Sequence, residues 1–127
     1  VVVGRKTYAS VLDMGVPYPH VGKRVFVYSQ QLTTTADHTV VHPGPPADHV
    51  RNLKGLAGNG IYCEGGADIA HQLLEAELID RIVLSTIPVH LQAGVELFPA
   101  GQLPPGWLAQ DRTVYPSGLI QTTYLKA

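Results

Sequence analysis

A strand pattern, a glycine pair, a helical stripe and a second apolar run follow one another without a break between residues 61 and 88. No other feature constrains the fold as much. Ile61-Tyr62-Cys63 is a short run of strand formers, and Gly65-Gly66 ends it with a turn that glycine makes at least steric cost. From Ala67 the period changes. Ile69, Ala70, Leu73, Leu74, Leu78 and Ile79 recur at helical spacing and form one apolar stripe. Residues 81–87 then return to a continuous apolar run, the pattern expected of a strand buried on both faces. A strand–helix–strand unit with such short connections predicts a right-handed parallel crossover, and with it an α/β sheet. The glycine pair carries a chemical possibility as well. It lets backbone N–H groups approach an anion at the positive end of a helix, although the same residues would serve a plain turn.

The chain of 127 residues is long enough for one domain with its own core, and residues 1–127 read as a single unit. With 45% hydrophobic and 15% charged residues the composition is globular. Lys and Arg number 9 against 10 Asp and Glu, a net charge of −1, so no basic field is available to hold nucleic acid or an anionic membrane. No apolar run approaches the ~20 residues of a membrane span. One cysteine, Cys63, excludes an internal disulfide framework and fits a reducing, cytoplasmic setting, and no signal peptide is evident. The sequence opens on Val1-Val2-Val3, already a core strand in character, which implies that an N-terminal part is missing.

In chain order, residues 1–3 form a strand ending at Gly4. Residues 5–12 form a short helix with Tyr8 and Leu12 on its inner face, and residues 15–22 form a loop. Residues 25–28 are the next buried strand and run into Ser29-Gln30-Gln31. Thr39-Val40-Val41 has strand character, and residues 43–46 are a connector. Residues 47–57 place Val50, Leu53, Leu56 and Ala57 on one helical stripe that Gly58 stops. Residues 103–108 read as a loop whose Trp107 plugs a core edge. Residues 113–115 and 119–125 flank Pro116-Ser117-Gly118 as an antiparallel hairpin. Three strands thus end near Val3, Tyr28 and Cys63. In an open parallel sheet their carboxyl ends share the edge where ligands bind. Arg5, Lys6 and Thr7 would then lie near Ser29-Gln30 and Gly65-Gly66, a set of cations, hydroxyls and backbone turns suited to a phosphorylated, nucleotide-like ligand.

The pieces Val3-Gly4-Arg5-Lys6-Thr7-Tyr8, Val25-Phe26-Val27-Tyr28-Ser29, Glu64-Gly65-Gly66, Leu78-Ile79-Asp80, Pro88 and Leu97-Phe98-Pro99, in that order, resemble the dihydrofolate reductase superfamily. The resemblance is closest to the riboflavin-biosynthesis reductase domain of bifunctional deaminase–reductases. It implies an α/β fold: a three-layer αβα sandwich, dihydrofolate reductase-like, with a mostly parallel sheet, a C-terminal antiparallel hairpin, and an N-terminal strand and helix missing. It also implies a reductase that binds NADPH along the carboxyl edge of the sheet. Gly4, Arg5, Lys6 and Thr7 would hold cofactor phosphates, Ser29 and Gln30 would lie by the adenosine ribose, and Gly65, Gly66 and Ala67 would hug the pyrophosphate. Glu64 would stand beside the cofactor. The resemblance further implies a pterin- or pyrimidine-like substrate and a homodimer formed through an edge element.

Two residues depart from the pattern. Asp68 puts a carboxylate in the first helical turn, where it suits the helix dipole but repels a nearby phosphate. Gln30 stands where a basic side chain could mark a 2′-phosphate, which leaves that task to Arg5 or Lys6, or else removes the preference for NADPH. No catalytic acid is assigned, and neither Asp13 nor Asp37 is given the role. His38 and His42 are four apart, but Pro43 and the strand-like residues between them argue against the helix that would align them on a metal. Ser29, Ser85 and Ser117 lack the glycine elbow of a serine hydrolase. The alternative to a reductase is a nucleotide-binding or structural module without turnover.

Overall fold

The computed structural model describes residues 1–33 and 39–127; Asp37 and His38 lie outside that range. Two compact units divide the chain, Val1–Leu78 and Ile79–Ala127.

In the first unit, β1 (Val2–Gly4), β2 (Val25–Tyr28), β3 (Thr39–His42) and β4 (Cys63–Gly65) form a parallel sheet in the order β3-β2-β1-β4. The register pairs Val3 with Val27 and Val2 with Phe26. Alternation along the strands therefore sorts the side chains onto two faces. One face carries Val3, Val25 and Val27, which cluster with Tyr8 and Tyr18 under helix α1 (Arg5–Asp13). The other carries Val2, Gly4, Phe26 and Tyr28. There Phe26 and Tyr28 meet His49 of α2 (Pro46–Lys54), and Gly4 meets Ile69 of α3 (Ala67–Glu75). Helices thus cover both faces of the sheet, in three layers. Val2, Val3, Val25 and Val27 are fully buried, and each contributes about 1.5–3 kcal/mol by leaving water.

Several boundaries differ from the sequence expectation for identifiable reasons. The inner face of α1 pairs Tyr8 with Val11, while Leu12 is exposed. Helix α2 begins on Pro46, whose fixed φ and missing N–H suit a first turn, and ends at Lys54 with Gly55 as its cap, not Gly58. The ladder of β4 runs two residues later than residues 61–63, because the register shifts between Val2 and Val3 and lets Gly65 pair with Val3. Helix α3 stops at Glu75, short of Leu78 and Ile79. The Leu78 N–H bonds the Leu73 carbonyl at 2.9 Å and the Glu77 N–H bonds Leu74 at 3.0 Å, with Glu77 in the left-handed region at φ 56°. That pair of bonds is a Schellman closure.

In the second unit, β5 (Arg81–Thr86), β6 (Trp107–Val114) and β7 (Ile120–Lys126) form an antiparallel sheet in the order β5-β7-β6. Residues 81–86, expected as the second strand of a parallel crossover, pair antiparallel with β7 within this unit, from Arg81↔Leu125 to Thr86↔Ile120. Nor is β5 buried on both faces. Ile82 and Leu84 are half-buried while Val83 and Ser85 are exposed, the one-sided alternation of an antiparallel strand. The β6–β7 hairpin turns through residues 115–119, where the Tyr115 N–H bonds the Leu119 carbonyl at 2.9 Å and Gly118 adopts φ 85°. Trp107 is the first residue of β6, paired with Lys126, and does not belong to a loop.

Candidate functional site

All four parallel strands deliver their carboxyl ends to one edge of the first sheet, at Gly4, Tyr28, His42 and Gly65. From β1 the chain runs through α1 to β2 and β3 on one side, whereas β4 lies on the other side and leads into α3 on the opposite face. The edge between β1 and β4 is therefore the point where the connections diverge, and an open α/β sheet leaves a crevice at such a point.

Two helix N-termini meet at this point. Gly4 caps α1 and Gly66 caps α3, and neither end has a side-chain cap. The first-turn N–H groups of both helices are left for other partners. The approach of the two ends is close enough to require glycine. A Cβ on Gly66 would lie 2.9 Å from Thr7 Oγ1, and one on Gly4 would lie 3.1 Å from Ile69 Cγ1 and 3.4 Å from the Gly66 nitrogen. Gly65 sits at φ 93°, open only to glycine at little cost, and the Gly65–Gly66 peptide is cis. Two positive helix ends this close together, neither with a side-chain cap, suit a pyrophosphate-sized anion.

Beside this junction lies an open cavity of about 490 Å³. Arg5 and Asp68 face it from the first turns of α1 and α3, and Ser29 and Gln30 face it from the end of β2. The Gly44-Pro45-Pro46 connector forms another part of its wall. Ser29 Oγ accepts from the N–H groups of Gln31 at 3.1 Å and Leu32 at 2.9 Å, which fixes the turn that presents Gln30. Gln72 Nε2 donates to Asp68 Oδ2 at 3.0 Å and orients that carboxylate from one helical turn further on.

Of the residues singled out from the sequence, the structure thus brings Gly4, Thr7, Gly65 and Gly66 together at the junction, with Ala67 as the first residue of α3. Arg5, Ser29, Gln30 and Asp68 line the adjoining cavity. Lys6 is exposed and does not line it, so Arg5 is the basic residue of the cavity wall among the described residues. Glu64 does not line the cavity either. It accepts from Tyr18 Oη at 2.6 Å, and its other oxygen lies 3.4 Å from His20 Nε2. Burial first, and then the bond to Glu64, raises the Tyr18 phenol far above its usual range, so it stays an O–H donor. Cys63 is a free thiol whose pKa burial pushes up, which makes it a poor nucleophile.

A cluster that the sequence reading did not single out supports the cavity from below. Tyr28 lines the cavity, and its hydroxyl lies 2.9 Å from His49 Nδ1. The His49 ring stacks on His42 with centroids 4.0 Å apart and planes 8° from parallel. Gly44 N–H donates to His42 Nδ1 at 3.2 Å, which makes that nitrogen an acceptor. Burial, and then the neighbouring His42, lowers the pKa of His49, while burial pushes Tyr28 up to about 12. The short Pro43–Pro46 connector folds α2 back over the end of β3 and brings the two histidines together; it was the one local hint of their contact. His42 itself sits in a strand, and no three metal-ligating side chains cluster among the described residues. Ser85 accepts from Gln121 Nε2 at 3.1 Å, and Ser117 accepts from the Leu119 N–H at 3.4 Å, so both serve structural hydrogen bonds.

Comparison with known proteins agrees with this architecture. The family model described as the RibD C-terminal domain matches residues 1–119. The Bacillus subtilis protein YwjB is 30% identical over 100 residues, covering 77% of this chain and 57% of its own length. The chain therefore spans little more than half of that relative. A crystal structure of a Shewanella sp. PV-4 protein, provisionally assigned to riboflavin biosynthesis, superposes with a TM-score of 0.83 at 30% identity. That match covers 99% of this chain and 72% of the other. The fold is accordingly of the dihydrofolate reductase-like α/β type.

Proposed function

The chain belongs to the RibD C-terminal domain family, and on that premise we propose that it is a reductase using a reduced nicotinamide dinucleotide, NADPH in the form the family resemblance implies. Its substrate would be a pyrimidine of riboflavin biosynthesis, of the 5-amino-6-(5-phosphoribosylamino)uracil type. The observation that carries this reading is the junction of two uncapped helix N-termini at Gly4 and Gly66, packed so closely that a Cβ on either would press on Thr7 or Ile69.

The residues present fit a dinucleotide in a specific way. The first-turn N–H groups of α1 and α3 would hold the pyrophosphate, each end adding partial positive charge. Thr7 Oγ1, packed against Gly66, is a hydroxyl available to the same anion. The adenosine end would occupy the adjoining cavity, against Arg5 and the turn held by Ser29. When bound, the dihydronicotinamide supplies the hydride, and the protein supplies position. Glu64, which accepts from Tyr18 and has His20 beside it, lies one residue from the junction.

Titration of the chain with NADPH, followed by cofactor fluorescence and calorimetry, tests the binding step. Saturable binding that Gly66→Val weakens by about tenfold or more is the expected result. No binding of either reduced cofactor at millimolar concentration would overturn the reading. Loss of dihydronicotinamide absorbance on adding the ribosylaminopyrimidine tests turnover, and binding without turnover would leave the chain a nucleotide-binding module.

A further inference from the structure

The charges of the cavity decide which dinucleotide it takes, an inference that rests on the dinucleotide reading above. Among the described residues, two charged side chains line the cavity, Arg5 and Asp68, one of each sign. The other described polar side chains on its wall are neutral, from Tyr28, Ser29, Gln30, Gln31 and Gln72. A 2′-phosphate brings close to two negative charges at neutral pH and is usually met by arginine in a bidentate pair. Here one guanidinium would have to serve it with a carboxylate in the same cavity. A ribose with a free 2′-hydroxyl makes the opposite demand. Its vicinal diol donates hydrogen bonds, and a carboxylate is the acceptor that recognises it.

Asp68 is set up as such an acceptor. Gln72 Nε2 occupies one oxygen, Oδ2, at 3.0 Å, which fixes the carboxylate plane and leaves Oδ1 without a bond from that amide. Arg5 is not drawn onto Asp68: the Asp68 carboxylate is held by Gln72, and the Arg51–Asp48 and His20–Glu64 pairs lie elsewhere among the described residues. The carboxylate is therefore not neutralised by the Arg5 guanidinium that shares its cavity. Lys6, the other candidate for a 2′-phosphate, does not line the cavity. We propose that Asp68 is a specificity-determining residue that selects a dinucleotide with an unphosphorylated ribose, so that the chain binds NADH more tightly than NADPH.

The test is a pair of titrations, NADH and NADPH, on the full chain and on Asp68→Asn, at low and at raised ionic strength. ADP and its 2′-phosphorylated form serve as probes of the adenosine end alone. Asp68 is exposed in the first turn of α3, so thermal melting should show a folded variant. The expected result is a preference for NADH over NADPH, and for ADP over its 2′-phosphorylated form, by about threefold to tenfold, the scale of one partly screened charge pair. Asp68→Asn should remove or reverse that preference, and salt should shrink it in the wild type. Tighter binding of NADPH by the wild type would overturn the inference while leaving the dinucleotide reading in place. A preference for NADH that Asp68→Asn leaves unchanged would overturn the role of Asp68. Failure of all four ligands to bind would overturn the dinucleotide reading, and this inference with it.

Discussion

The two units of the chain use similar apolar residues to different ends. In Val1–Leu78 the valines of β1 and β2 are sealed between helices on both faces, four of them fully buried. In Ile79–Ala127 the strands are longer, yet Val83, Ile87, Leu108 and Val114 are all more than half exposed. The contrast follows from topology. Parallel strands need crossover helices, and those helices cover the sheet they cross. Antiparallel strands joined by a hairpin can form a regular ladder with no cover of their own. The difference also locates chemistry. Covered parallel strands end together at one rim, where Gly4, Gly66 and the cavity lie, and the hairpin sheet has no equivalent rim.

The sharpest way to break this comparison is to fill the junction. Gly66→Val puts carbons where Thr7 Oγ1 already stands 2.9 Å from a Cβ position. It should cost about 1–3 kcal/mol in urea melts and reduce dinucleotide affinity by about tenfold or more. Unchanged affinity would mean that the junction is only a turn. Next in size, Val27→Ala in the sealed layer should cost about 2 kcal/mol. Loss of less than about 0.5 kcal/mol there would contradict the burial that separates the two units.

A pH series sharpens the comparison within the first unit. His49 has a lowered folded pKa, through burial and then His42, so the unfolded chain takes up the proton first as pH falls below about 6.5. Stability should therefore be pH-independent with respect to this group above that value and decline below it. The groups facing His49 are Phe26, Tyr28 and His42, and His49→Phe should flatten the acid limb of the melting curve. An equally steep limb in the variant would assign the effect elsewhere. The smallest change is expected in the second unit, where Val83 is 51% exposed. Val83→Ala should stay within about 0.5 kcal/mol of the parent. A loss as large as that of Val27→Ala would show that this face is covered in solution.

Most elements of the first unit were legible because their signals are local. Val25-Phe26-Val27-Tyr28 is a strand wherever it lies, and Gly65-Gly66 before an apolar helical stripe can only leave a strand and open a helix. The junction was legible for a related reason, since parallel strands must end at a common edge once their order is granted. What failed were statements about partners. The run 81–87 looked like a strand buried on both faces, but its ladder is made with β7, some forty residues away, and a periodicity cannot name its partner. The contacts of Glu64 with Tyr18 and His20 were equally hidden, since they follow from alternation along β4 and not from its neighbours in sequence. The His42–His49 stack was illegible because it joins a strand to a helix across a connector whose path only the fold defines.

The sequence by itself determined the α/β class, the glycine turn before α3, the closing hairpin and the charged residues available to a ligand, because these depend on residue type and short-range spacing. The tertiary structure decided which of those residues share a cavity. Arg5 and Asp68 stand in the first turns of different helices, far apart in the chain, and face the same cavity only because β1 and β4 are neighbours in the sheet. Strand order fixes that pairing through hydrogen bonds between distant segments, and no local pattern encodes it.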